Sequence, residues 1–150
     1  MLLFDVNMPV LPNTIKFLEK IKNTDALERG IATTLAASNK RRIHNEGKAV
    51  DGTEIGQYRE ITKRIRSNPR IAGFGFSSRQ IAYVDLFFSS KLSKDFDVGK
   101  VDKGWGVGFL TSYGERLRKK HEDKYKKKIW GITEQDRQDV QEIVNRFIQK

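Results

Sequence analysis

Two histidines, no cysteine and 19 carboxylates are the stock from which this 150-residue chain would have to build a reaction centre. A histidine beside a carboxylate can serve as a general base, and His44 has Glu46 and Asp51 close behind it in the chain. A hydrolase using His44 with Glu46 or Asp51 is the catalytic arrangement these residues allow. The same His44-x-Glu46 pair opens a zinc-deaminase signature, but its Pro-Cys-x-x-Cys half has no counterpart in a chain without cysteine. Disulfides, thiolate zinc sites and cysteine nucleophiles are excluded for the same reason. His121 falls on an apolar helical stripe, where histidine is more often a packed, hydrogen-bonded residue than a base. No glycine-rich loop ends in Gly-Lys-Ser/Thr and no Gly-x-Ser-x-Gly occurs, while Asp95 and Asp97 are spaced as on any solvated hairpin edge. The expectation is a protein that is not an enzyme, with no catalytic residue, cofactor or metal.

Binding chemistry is better supplied. Lys and Arg number 29, for a formal net charge of +10, which favours anionic company: nucleic acid, acidic protein surfaces or lipid headgroups. The charge is uneven, with +3 over residues 40–48, +4 over 59–70 and +5 over 111–130. The last cluster holds Arg116, Lys119, Lys120, Lys124, Lys126, Lys127 and Lys128. It reads either as a solvated helix face whose Lys-rich last turn complements the helix dipole, or as a binding surface. Gly73-Phe74-Gly75-Phe76 matches the centre of an RNA-recognition octapeptide whose aromatic rings stack on bases, although Ala72 and Ser77 depart from its flanks. With Arg59, Lys63, Arg64, Arg66 and Arg70 nearby, Phe74 and Phe76 would make a small basic nucleic-acid-binding module.

The elements that must position these residues follow from periodicity. Phe4, Val6, Met8 and Val10 alternate with polar residues and Pro9, so residues 1–11 are predicted to form an edge strand or an N-terminal arm. The arm either joins its own sheet or adds a strand to a neighbour. Its opening Met1-Leu2-Leu3-Phe4 run is stopped by Asp5, which reads as neither a signal peptide nor a membrane span. A short helix is predicted from Asn13 to Asn23. A long one should follow from Thr24, with Leu27, Ile31, Leu35 and Ile43 on one face, ending before Gly47. Residues 58–80 show no sustained period and are predicted to be a long basic loop, a candidate assembly arm.

Residues 86–96 suit either a strand end or a short helix with Leu92 and Phe96 inward. The stretch Phe96 to Phe109, turning at Asp102-Lys103-Gly104, is predicted to be a β-hairpin with a three-residue loop. Tyr113, Leu117, His121 and Tyr125 stripe a helix whose other faces carry the cations. Thr133 and Asp136 propose a capping box for a last helix, where Val140, Ile143, Val144, Phe147 and Ile148 form an apolar stripe. The whole chain is expected to be one α+β domain: an antiparallel sheet packed with helices, with a long N-terminal helix and an amphipathic C-terminal helix.

From Arg42 onward the order of features resembles a known family. Arg42-Ile43 precedes Asp51-Gly52; Ser90-Lys91-Leu92 stands where the family has Thr-Gly-x-Leu; the hairpin ends in Val107-Gly108. Tyr113 opens a helix that carries His121, and Ile129-Trp130-Gly131-Ile132-Thr133 takes the place of Phe-Leu-Gly-Leu-Ser before an amphipathic final helix. Ser90, Gly114 and the Lys124 to Lys128 run depart from the pattern. Together these motifs, over about two thirds of the chain, resemble the bacteriophage virion-morphogenesis and tail-completion family of neck proteins.

The resemblance implies a structural virion protein, assembled in the bacterial cytoplasm. It implies a ring of copies at the neck, completing the tail or connecting head to tail, without catalysis. Its expected partners are copies of itself and neighbouring neck, portal-adaptor or tail proteins, with packaged DNA nearby and no membrane. Phe4, Val6, Met8, Arg64, Arg66, Phe74, Phe76 and Trp130 are the interface candidates in that setting.

Overall fold

A computed structural model describes residues 24–68, 80–86, 91–102 and 104–149. The expectations for the Phe4, Val6 and Met8 arm, for the first short helix, and for Phe74 and Phe76 lie outside the described residues. The rest is an α+β fold of helices around an antiparallel hairpin.

The long helix α1 spans Asp25–Lys40 and widens into one π turn over Arg41–Asn45. Asp25 and Glu28 lie at its positive end, and Thr24 donates its hydroxyl to Glu28 Oε1 at 2.6 Å. The widened turn directs two consecutive side chains, Arg42 and Ile43, into the interior. Gly47 then turns the chain at φ +64°, and a Cβ there would run into the ring of Tyr83, so glycine is required on both counts.

Residues 58–80 are not one long loop. Glu60–Ser67 form helix α2, entered from an extended Arg59. The residue that anchors this helix inward is Arg66, an arginine, so no apolar period marks the segment. Between 86 and 96 the helical alternative holds: Lys91–Asp95 form a short α3 that leads directly into β1, Phe96–Val101. This strand pairs antiparallel with β2, Gly104–Phe109, from Phe96 opposite Phe109 to Val101 opposite Gly104. Gly104 therefore belongs to the second strand, and the connection is shorter than the predicted three residues.

Helix α4, Ser112–Tyr125, is capped by Thr111, whose hydroxyl accepts from the Gly114 amide at 3.2 Å and donates to Asp95 Oδ2 at 2.8 Å. Helix α5, Glu134–Gln149, starts with a reciprocal capping box. The Thr133 amide donates to Asp136 Oδ2 at 2.8 Å and the Asp136 amide to Thr133 Oγ1 at 3.1 Å. The stripe on α5 is only half-buried at Ile143, Val144 and Phe147, and Ile148 is 51% exposed.

The core gathers Ile43, Ala49, Ile55, Val84, Leu86, Leu92, Phe96, Ile129 and Trp130. Phe96, Phe109 and Trp130 stack edge to face, with successive ring centres 5.2 Å apart. Helix α1 lies along the hairpin, chiefly over β2, and α5 packs against α1. No helix among the described residues is long and apolar enough to cross a membrane.

Candidate functional site

Four groups of side chains bear on function, and they divide into two interior hubs and two open surfaces. The first hub is Arg42. One terminal nitrogen donates to the carbonyls of Lys48, at 2.9 Å, and Ile129, at 3.0 Å. The other reaches Asn39 Oδ1 at 2.8 Å and the Gly131 carbonyl at 3.4 Å. Asn39 also accepts from the Gly131 amide at 3.1 Å. One guanidinium thus ties the end of α1 to the 129–131 segment by satisfying carbonyls that would otherwise be buried unpaired. Burial holds the Arg42 pKa below its ordinary value, against the opposing pull of Asp136 and other carboxylates.

The second hub is Asp85. Its carboxylate accepts from Tyr58 OH at 2.6 Å, from Arg66 at 2.6 Å and from Gln80 Nε2 at 2.9 Å. The Arg66 guanidinium lies over the Tyr58 ring, 4.5 Å from its centre. Burial, then the bond to Asp85, raises the Tyr58 pKa above the usual phenol value, so Tyr58 is a fixed donor. His44 Nδ1 lies 2.7 Å from the Asp85 carbonyl oxygen. Leu86, next in the chain, adopts a left-handed φ of +50°, a conformation that a branched side chain holds only where its surroundings impose it. This hub closes α2 onto the segment that begins at Gln80.

The third group is the basic face of α4. At 3.6 residues per turn, Arg116, Lys119, Lys120 and Lys124 fall within about 140° of the helix circumference. All four are exposed. Two of the three acids of the helix are drawn to the other side. Arg118 forks onto Glu115 at 2.6 and 2.9 Å and also binds Glu122, and Glu122 Oε1 accepts from the Ile129 and Trp130 amides. Arg118 holds the Glu115 carboxyl below its ordinary pKa. Only Asp123 shares the basic arc.

Lys126 follows the helix at φ +53°, in the left-handed cap position usually held by glycine. Lys127 is turned back, with Nζ on Thr53 Oγ1 at 2.9 Å and the Glu54 carbonyl at 2.5 Å. Lys126 and Lys128 point outward. Beneath this face His121 stacks on Tyr125, its Nδ1 buried without a partner among the described residues. Burial, then Lys124 and Lys120, lowers the His121 pKa.

The fourth is the outer face of the hairpin. Phe96, Val107 and Phe109 face the core, so Gly99, Val101, Gly106 and Gly108 face away. A Cβ built on Gly108 meets nothing within 4 Å, and one on Gly99 or Gly106 meets only Leu110 or Val101. Val101 is 56% and Leu110 59% exposed. Two large apolar side chains therefore border a floor of bare backbone.

Set against the sequence expectations, several residues change role. Arg66 and Trp130 are interior groups of this chain rather than interface residues: Arg66 neutralises a buried carboxylate, and Trp130 fills the core against Phe109. Arg64 is exposed on α2, while Arg59 stands at its N-cap position without a side-chain capping bond. Lys127 leaves the basic surface for its bonds to residues 53 and 54. The hydrolase residues are spent separately. His44 meets the Asp85 carbonyl, Glu46 pairs with Arg41 and Lys48, and Asp51 holds Thr53 at 3.0 and 2.7 Å. No group of His, Asp and Glu among the described residues is arranged to hold a metal ion. Sequence reasoning missed Asn39, Tyr58 and Asp85, because each is a polar residue placed inward by a partner distant in the chain, and Arg118, whose partners Glu115 and Glu122 lie on its own helix. The chain matches no family model, no curated protein and no solved structure.

Proposed function

We propose that this protein is a structural subunit of a tailed-phage particle, completing the tail or joining head to tail at the neck as a ring of copies, and working by assembly rather than catalysis. The observation that carries the reading is the open outer face of the hairpin, where Val101 and Leu110 flank the backbone of Gly99, Gly106 and Gly108. Bare backbone bordered by apolar side chains lets a second surface approach closely and bury both, which suits a subunit interface. A further support lies in the motifs of the resemblance. The separate segments Arg42-Ile43 and Ile129-Trp130-Gly131, remote in sequence, meet through the Arg42 guanidinium.

The test is the mass of the purified protein by light scattering across a concentration series, followed by electron microscopy of labelled particles. Self-association that Val101→Lys and Leu110→Lys abolish, with an unchanged circular-dichroism spectrum, is expected. Label at the neck of the particle is expected as well. A protein that stays monomeric with and without neck or tail proteins, or label elsewhere on the particle, overturns the reading.

A further inference from the structure

We propose that the exposed face of α4 is a binding surface for the phosphodiester backbone of nucleic acid, read through charge and without base sequence. It stands apart from the assembly reading, since it uses a different surface and different residues. The first observation is the sorting of charge on one helix. Arg118 pairs with both Glu115 and Glu122, and Arg116, Lys119, Lys120 and Lys124 make no ion pair among the described residues. With Lys126 and Lys128 this gives six outward cations against one outward acid, Asp123, over thirteen residues. Such a strip repels itself, and only a polyvalent anion relieves all of it at once.

The second observation is independent. Lys126 occupies the left-handed position where glycine would cost nothing, so a cation stands there at the expense of backbone strain.

Geometry favours nucleic acid over the two other anionic surfaces. An anionic membrane binds helices that turn an apolar face outward, whereas α4 spends Leu117 and Tyr125 on the core. An acidic protein would be met by cations interleaved with apolar contacts, and this arc carries one ring, Tyr113 at its first turn. Arg116 and Lys124 are separated by about 12 Å along the axis at 1.5 Å per residue, a span that crosses several phosphates of one strand at 3.4 Å each. With a single aromatic ring on the arc there is little base stacking, so duplex DNA should bind at least as well as single strands.

The experiment is fluorescence anisotropy of the full chain with a labelled random-sequence DNA duplex between about 50 and 200 mM salt. Binding that falls with a log-log slope of about −3 to −5 is expected, at roughly −0.9 per phosphate neutralised. The triple variant Lys119→Glu, Lys120→Glu, Lys124→Glu should lose at least a hundredfold in affinity with its unfolding midpoint unchanged. Lys126→Gly separates charge from stability: it should flatten the slope by about one while the unfolding midpoint rises. Absence of duplex binding at the lowest salt, full binding by the triple variant, or tighter binding to polyglutamate or phosphatidylserine vesicles than to DNA overturns the proposal.

Discussion

Arg42 and Arg66 on one hand and the cations of α4 on the other are the same chemistry put to opposite uses. Arg42 and Arg66 are withdrawn from water and bonded to fixed acceptors: four oxygens around the two terminal nitrogens of Arg42, whose Nε is buried without a partner among the described residues, and the Asp85 carboxylate with the Gln80 carbonyl around Arg66. Arg116, Lys119, Lys120 and Lys124 lie in solvent with no ion partner among the described residues. The contrast teaches that basic character has two meanings in this chain. A buried arginine acts through its hydrogen-bonding fork and holds segments together, while an exposed lysine acts through its field and leaves the fold indifferent.

The comparison breaks most visibly at the interior hubs. Asp85→Ala leaves the Arg66 charge buried without its partner, and a loss of about 3 to 5 kcal/mol is expected by urea unfolding. Arg42→Ala strands the carbonyls of Lys48 and Ile129 and should cost a comparable amount, which Arg42→Lys does not restore because a single ammonium cannot fork onto both sides. A loss below 1 kcal/mol in either would place these arginines with the surface ones.

Phe147→Ala comes next. The apolar stripe alone would place Phe147 in the core, but it is only half-buried, so the same measurement should give about 1 to 2 kcal/mol rather than the full cost of a core phenylalanine. Lys126→Gly should stabilise by about 1 kcal/mol, the relief of a left-handed backbone, and no gain would mean that the cap is not strained.

His121 sharpens the boundary between the two regions, because it is a group of the protected side titrated by the charged one. Its folded pKa lies below the ordinary value, so the unfolded chain takes up the proton more readily. Stability should be full above about pH 6.5 and fall as the pH drops through that value, and His121→Gln should flatten the curve there. Asp136 is lowered instead: burial raises it, but the bonds from Ser38 and Thr133 and the charge of Arg42 outweigh that. Its contribution is present above about pH 4 and is lost as the pH falls through its folded pKa, so its loss begins at a lower pH than that of His121. Lys119→Ala should change stability by less than about 0.5 kcal/mol.

Where a local rule had a local cause, the elements were readable in advance. Gly47 ends the long helix region, Thr133 and Asp136 open α5, and alternating glycines mark β2 beside its partner strand. Helix α2 was not readable, because the residue it turns inward is charged and apolar periodicity passes over it. The burial of Trp130 and the half-burial of Phe147 were reversed for a related reason. An apolar residue states that it prefers to be covered, but the covering surface comes from elsewhere in the chain.

Composition and spacing by themselves determined the positive charge, the absence of cysteine chemistry, the hairpin, both ends of the long helix and the start of α5, since each depends on a residue's own preferences or on neighbours within a turn. Only the tertiary structure decided which cations are interior and which are free. That choice rests on whether an acceptor such as Asp85 or the Ile129 carbonyl arrives from a distant segment, and the low dielectric of the interior makes such an encounter decisive for a charge.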